Sequence, residues 1–482
     1  MRPDLALCAL ALAAPAAAQP IDWSHPPPVG PQPAYAPPAP RVLALASGIP
    51  VWVVERRELP IVTVRLVVRG AGSTSDAPGK AGLAGYAADL LDEGAGGLGA
   101  VELAARLERL GTTLKTWAEE DAAYVEIGCL ARNLAPSLEL MAKVVTAPAF
   151  DAKEAARVKE DRLTAIALRR DEPGAVAHLI LEGAILGPQS PYGHPALGYA
   201  GELERVTVED ARDFYARRYG AAVSALVVAG DVDTAEATKL LDAQLGAWRG
   251  AASTADAPAA APARGPRLYV VDRGGAPQSH VLVGGLGIPR ADPRAFALEV
   301  VATALGGTFS SRLVHRLREE LGYTYEVRAV GSYHRGTGLV YVDTAVFTPR
   351  TVAAIREIAR ILADVRQRGL APDELKAAQQ NLVRSLPQAF ETIDGIAGIY
   401  ADLVVTGLGP EWPAQYATRI GAVTAADVRA VARALLDDKL LRLVVVGDVA
   451  SIERALGGLG FGRATAMDPD GRPIGKAPKA KP

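Results

Sequence analysis

A repeat constrains this chain more than any other feature. Val53-Val-Glu-Arg56 recurs as Val270-Val-Asp-Arg273, and Pro60 is answered by Pro277. Val206-Thr-x-x-Asp210 recurs as Val423-Thr-x-x-Asp427, and Leu226-Val-Val-x-Gly-Asp-Val232 as Leu443-Val-Val-Val-Gly-Asp-Val449. The offsets 277 − 60, 424 − 207 and 447 − 230 are all 217. Short matches arise by chance, but one offset held at the start, middle and end of a half implies duplication. Residues 41–249 and 267–461 are then two copies of one α+β unit, each an antiparallel sheet with helices on one face.

Periodicity fills in the first copy. Alternating apolar runs predict strands at 51–55, 61–69, 113–117, 122–130 and 223–232. Helical spacing predicts 101–110, 134–146, 152–171, 173–185, 208–219 and 234–245, with Leu103, Leu107 and Leu110 on one face and Gly111 as a stop. Between the copies, 250–266 has no periodicity and reads as a linker. Residues 19–40 are a Pro-rich lead-in, and 462–482 are expected to be a disordered basic tail.

Of the 482 residues 49% are hydrophobic and 22% charged, and the net charge of −2 gives no electrostatic case for nucleic acid. Residues 1–18 read as a signal peptide: one early Arg, an apolar run and a small-residue end at Ala16-Ala-Ala18. That run is too short to span a membrane, and no later stretch is long enough. Export to a bacterial periplasm is the expectation, with an extracellular address open. Cys8 would leave with the leader, so Cys129 remains alone and no intrachain disulfide can form.

Two stretches bear on chemistry. Gly79-Lys-Ala-Gly-Leu-Ala-Gly-Tyr-Ala-Ala-Asp-Leu-Leu-Asp-Glu-Gly94 is a Gly-rich lead-in opening a short helix. Gly306-Gly-Thr-Phe-Ser-Ser-Arg-Leu-Val-His-Arg-Leu-Arg-Glu-Glu-Leu-Gly-Tyr-Thr-Tyr-Glu-Val327 carries two Arg/Tyr pairs seven apart, Arg318 with Tyr325 and Arg316 with Tyr323. The plainer reading makes both arginines solvated helix charges beside Glu319 and Glu320. His178 and Glu182 are read as a surface pair, His194 as part of a structural loop, and His315 as a packed residue, none of them a metal ligand.

The first stretch resembles the metal-binding helix of the pitrilysin and mitochondrial-processing-peptidase family of inverted zinc peptidases, whose ligand signature is H-x-x-E-H. Gly82-Leu-Ala84, Leu90-Leu91 and Gly94 fit, but Gly85, Ala88 and Asp89 stand where the two histidines and the catalytic glutamate belong. The family's third ligand falls at Ala165. Catalytic zinc needs three protein ligands, so the resemblance implies the scaffold without the metal. The second stretch resembles the family's G-G-x-x-S-S-R-L-x-x-x-L-R-E-x-x-G-x-x-Y block. There an arginine and a tyrosine reach across to the zinc site of the other half and donate to the reacting carbonyl.

The resemblance covers about 41–461 and implies a clamshell forming half of a chamber. Its functional expectation is a non-catalytic subunit of a heterodimeric, exported zinc metallopeptidase. Arg318 and Tyr325 (Arg316 and Tyr323 in the other register) would act on peptide substrates at the zinc of a paralogous partner subunit. This chain would hold no cofactor of its own. The alternative is a zinc-free pseudoenzyme that binds peptides or serves as a scaffold without a catalytic partner.

Overall fold

A computed structural model of the protein describes residues 35–250 and 264–475. The leader (1–18), the lead-in up to residue 34, the middle of the linker (251–263) and residues 476–482 lie outside the described residues. The chain divides into Met1–Tyr35 and Ala36–Pro482, and every described strand and helix lies in the second unit.

In the first half β1 (Arg41–Ala44), β2 (Pro50–Glu55) and β3 (Ile61–Arg69) precede a short helix, α1 (Leu83–Asp89). A two-residue hairpin, β4 (Gly94–Ala95) and β5 (Leu98–Gly99), leads into α2 (Ala100–Arg109), which buries Leu103 and Leu107 and ends before Gly111 at φ 58. Then come β6 (Thr113–Ala118), β7 (Ala122–Leu130), α3 (Leu134–Thr146), α4 (Ala152–Arg169) and α5 (Pro173–Leu186). One-turn α6 (Ala200–Leu203), α7 (Val208–Arg218), β8 (Ser224–Gly230) and α8 (Thr234–Leu245) close the half.

The second half opens with β9 (Leu268–Asp272), β10 (Gln278–Leu286) and α9 (Ala295–Ala302), followed by β11 (Thr324–Tyr333) and β12 (Gly338–Phe347). Helices α10 (Thr351–Arg368), α11 (Pro372–Ala389), α12 (Ile393–Thr406), α13 (Trp412–Gly421) and α14 (Ala425–Leu435) come next. The half closes with β13 (Arg442–Gly447), α15 (Val449–Leu456) and β14 (Ala464–Ala466).

Strand register repeats along with the elements. Glu55 pairs with Gly230 and Asp272 with Gly447; Ile61 pairs with Leu130 and Gln278 with Phe347. The differences 272 − 55, 447 − 230, 278 − 61 and 347 − 130 are all 217. Helices α7 and α14 start 217 apart (425 − 208), and each begins with the same reciprocal cap, Thr207 with Asp210 and Thr424 with Asp427. Between these anchors α4 and α5 map onto α11 and α12 at 220 (372 − 152 and 393 − 173). The three extra residues follow a longer α10, 18 residues against 13 in α3, and are lost again before α14.

The sheets run β1-β2-β8-β3-β7-β6 and β14-β9-β13-β10-β12-β11. Most pairs are antiparallel, but β2 with β8 and β9 with both β13 and β14 are parallel, so the sheets are mixed. Five strands repeat. The sixth comes from opposite ends of the unit, β1 at the very start of the first copy and β14 after the second. Residues 464–466 therefore belong to the sheet, Met467 is buried and Asp470 pairs with Arg170, which corrects the expectation of a disordered tail from 462.

Each sheet is covered on both faces, not one. Val51, Val53, Val64 and Leu66 face a core built with the half's own helices, while Trp52, Val54, Val67 and Val227 face the other way. That second face is covered by α12 of the other half, through Ile396, Tyr400, Val404 and neighbours. The exchange is reciprocal: α5 of the first half lays Val176, Ile180 and Leu181 on Tyr269, Val271, Leu282 and Val444. Period-two alternation puts apolar side chains on both faces, so neither sheet is sealed without the opposite half.

A chain cut at a protease site engineered within 251–263 should therefore elute as one particle under native conditions and separate only in denaturant. Two fragments that part on gel filtration would contradict the exchange.

Candidate functional site

Helix α1 is held from three sides. Its N-terminal N–H groups at Gly82 and Ala84 both donate to the Asp76 carboxylate at 2.7 Å, which replaces the missing side-chain cap. Gly82 has φ 94 and abuts the backbone of Leu197 and Gly198, so a side chain there would be strained and would clash. The third contact is Arg162, a buried arginine on α4. Its Nη1 donates to Asp89 at 2.5 Å, and its Nη2 to the carbonyls of Ala196 and Leu197 at 3.0 and 3.2 Å.

Gly85 and Asp89 are one turn apart on the face of α1 that meets this guanidinium. A Cβ on Gly85 would stand 2.5 Å from Arg162 Nη2. Ala88 is fully buried without a donor atom, and Ala165 is exposed on α4. The α4 residue facing Gly85 and Asp89 is thus Arg162, one turn before the position that family spacing selected. Sequence reasoning missed it because a fixed spacing was carried across; a basic residue one turn from Ala165 was the available signal.

In the second half one stretch of widened, π-type turns, Thr303–Gly307, runs into the Gly306–Val327 block and another, Val314–Glu320, lies within it. Arg312 anchors the block by a two-pronged pair to Glu374 at 2.5 and 2.6 Å and a contact to Asp364 at 2.8 Å. At the start of β11 a bulge sets Tyr325 and Glu326 opposite Ala345 alone, with the Thr324 hydroxyl donating to the Ala345 carbonyl at 2.6 Å.

This bulge leaves Tyr325 79% exposed. The Arg318 guanidinium lies 4.7 Å from the Tyr325 ring and 5.1 Å from Phe309, itself 62% exposed, and meets Glu319 at 3.2 Å. Arg318 and Tyr325 are thus brought together. The other register is not a unit: Arg316 is tied to Glu320 and Glu357, while Tyr323 packs on the core with Arg350 over its ring. Phe309 had no signal of its own beyond its place in the block.

Two of the histidine readings change. His178 is half-buried and not simply a surface residue paired with Glu182: its Nε2 meets Asp343 at 3.2 Å across the interface between the halves, and His280 meets the same carboxylate at 2.8 Å. His315 does not pack; it is exposed beside Glu320. His194 lies in its loop with burial holding its pKa below the ordinary value. Among the described residues no group of three or more His, Cys, Asp or Glu is placed to hold a metal ion.

With this geometry in hand, comparison with known proteins is decisive for family. Residues 51–184 match the family model described as insulinase (peptidase family M16), and 205–382 match the one described as peptidase M16 inactive domain, together more than half of the chain. The chain belongs to the M16 peptidase family. An uncharacterised zinc protease of Streptomyces coelicolor is 27% identical over 76% of this chain and 80% of its own length. A non-peptidase homologue of Helicobacter pylori, YmxG, is 24% identical over 72% and 80%. The crystal structure of a peptidase M16 inactive domain from Pseudomonas fluorescens matches with TM-score 0.78 at 24% identity, over 85% of this chain and 97% of that one. No helix of the described residues is long and apolar enough to cross a membrane.

Within M16, this chain is an inactive, peptidase-like member. Zinc does not fit the residues present: the first-half site offers one carboxylate, Asp89, and a permanent cation, Arg162, is already bound to it. Putting back the family's donors tests this assignment. Gly85→His, Ala88→Glu and Asp89→His combined with Arg162→Glu should take up about one zinc per chain. The same three with Ala165→Glu and Arg162 kept should take up none, because the guanidinium blocks the new side chain at 85. Metal analysis of the purified variants reads the difference.

Stability should also follow pH in a definite direction. Burial pushes Asp76 up to about 7, and burial together with Glu120 pushes Glu182 up to about 7. Unfolded, both titrate near 4. Their protonated forms therefore contribute stability fully below about pH 4 and lose it as pH rises through about 7. Glu55 is held down to about 2 by Thr234 and acts oppositely, losing its contribution only as pH falls below about 4. The melting temperature should fall by about 2 °C or more from about pH 5 to about pH 8, and Glu182→Gln should flatten that slope.

Proposed function

We infer that the protein is the non-catalytic subunit of a heterodimeric, exported M16 zinc metallopeptidase, and that it presents Arg318 and Tyr325 to the zinc site of a paralogous partner. The contrast between its two sites carries the reading. One is filled by an ion pair between the buried Arg162 and the half-buried Asp89, and the other sets the half-buried Arg318 guanidinium beside the exposed Tyr325 phenol. A fixed guanidinium and a phenol hydroxyl are donors suited to a carbonyl oxygen that gains charge in the transition state. Zinc and the activated water belong to the partner, whose H-x-x-E-H helix would face this half of a shared chamber. Peptide is the substrate class. The leader-like residues 1–18 support a periplasmic address.

A second reading, a peptide-binding pseudoenzyme or scaffold with no catalytic partner, draws support from one observation. Arg318 is already engaged by Glu319, Phe309 and Tyr325 within its own chain. Reconstitution separates the two. A zinc-bearing paralogue from the same cell should cleave peptide only when this chain is added. Tyr325→Phe should then lower turnover about a hundredfold or more with peptide binding little changed, since only a donor hydroxyl is lost. Arg318→Ala should lower turnover and weaken binding as well. Arg316→Ala and Tyr323→Phe serve as controls. Unchanged turnover in Tyr325→Phe within an assembled, active pair would leave the scaffold reading standing.

A further inference from the structure

A cavity of about 560 Å³ lies between the two halves and shares no lining residue with either the Arg162–Asp89 site or the Arg318 cluster. The turn between β6 and β7 supplies Glu119, Glu120 and Asp121 from the first half, and α9, α11, α12 and α13 supply most of the rest. Its size is that of a small-molecule site. Five carboxylates line it, those three with Glu299 and Asp402, against a single guanidinium, Arg290.

The partners of these groups show what is missing. Arg290 is consumed: it pairs with Glu299 and lies between the rings of Tyr333 and Trp412, at 4.8 and 4.5 Å. Asp121 is satisfied by the Tyr192 hydroxyl at 2.6 Å and the Arg335 amide at 2.7 Å. Among the described residues Glu120 meets the His334 ring, 3.7 Å away. Glu119 accepts from two neutral donors, Trp117 Nε1 at 3.2 Å and the Tyr124 hydroxyl at 3.1 Å. Asp402 makes no side-chain hydrogen bond or ion pair with any described residue. The cation near it on the first half, Arg65, is bound to Glu126.

Glu119 and Asp402 thus approach from opposite halves with no cation of their own. The crowding has a cost: desolvation, and then the charge of Glu119, push Asp402 up to about 6. Glu119 and Asp402 are themselves exposed. Here Leu382, Leu386, Ile399 and Leu403 form an apolar wall beside them. Arg290 also shows that the cavity accommodates a guanidinium against aromatic rings and a carboxylate.

We propose that this cavity binds an organic cation, a primary ammonium or guanidinium on an aliphatic stem, with the charge between Glu119 and Asp402 and the stem on the Leu386–Leu403 wall. The chemistry is shared by a free amine and by a lysine or arginine side chain of a bound peptide. The inference does not depend on the subunit reading, since it concerns this chain alone.

Calorimetric titration of the full chain tests it with two probes, spermidine and a blocked acetyl-Ala-Lys-Ala-amide. Saturable binding of spermidine alone supports the site with a free amine as ligand; binding of the peptide supports it with a side chain as ligand. In either case Asp402→Asn and Glu119→Gln should weaken binding about tenfold or more. Glu58→Gln, at an exposed position elsewhere, should not. Asp402→Asn removes a repulsion, so it should melt no lower than the parent chain, and loss of binding cannot be put down to unfolding. The proposal is overturned if neither probe binds. It is equally overturned if Asp402→Asn and Glu119→Gln bind like the parent, or if magnesium competes as well as an amine, which would reduce the site to an unspecific acidic surface.

Discussion

The reciprocal placement of α5 and α12 is the contact on which the rest of the molecule depends. A sheet with apolar residues on both faces needs two layers of cover, and each half provides only one for itself. Burying Trp52, Val54, Val67 and Val227 under α12, and Tyr269, Val271, Leu282 and Val444 under α5, removes from water surfaces that a separate half would expose. The halves are therefore not beads joined by a linker. The exchange also fixes what lies between them: the Asp343 bridge to His178 and His280, and the cavity whose walls come from both copies, exist only in that register.

Within this frame the first-half site works as an internal strut. A zinc site of the kind the family resemblance implies would join α1 to α4 through a cation held by side chains of both helices. Here Arg162 joins the same two helices, donating to Asp89 and to the Ala196–Leu197 carbonyls. The guanidinium is covalently part of the chain, so the strut needs no metal. Gly85 fits the same logic, because a side chain at that position would meet the guanidinium. Removing either member of such a pair leaves the other without its partner in a largely desolvated place, which makes the pair hard to lose piecemeal.

The duplication was legible because it rests on turns and caps, whose residues are dictated locally. Gly230 and Gly447, and the Thr207/Asp210 and Thr424/Asp427 caps, sit where the backbone allows few alternatives. The slip to 220 in the paired helices left no such marks, since Ala-rich helices tolerate any register on their exposed sides. Helix exchange was illegible for a different reason: local pattern says that a face must be covered, never by which element. Only α5 hinted at it, being apolar almost all round, with Val176, Leu179, Ile180, Leu181 and Ile185 buried. Strand β14 escaped because three residues, Ala464–Ala466, carry too little alternation to read. Arg162 escaped because the family's spacing was applied as a ruler, and an error of one helical turn moved the expected position onto an exposed alanine.

The Arg318 cluster differs in kind from everything else in the fold. A half-buried arginine on exposed rings contributes little to stability, on the order of 0.5–1 kcal/mol. The bulge that turns Tyr325 outward interrupts the ladder of β11 with β12, and Tyr325 at 79% exposure recovers little by burial. Arg312, in the same block, is by contrast locked to Glu374 and Asp364, so the segment is held firmly while its tip stays in water. A rigid base under an exposed donor pair is the arrangement a binding surface needs, because the donors are oriented before anything arrives. Folding alone gives no reason to build it. The first-half site is tied into the fold by Arg162, whereas this one stands at the surface on a supported frame.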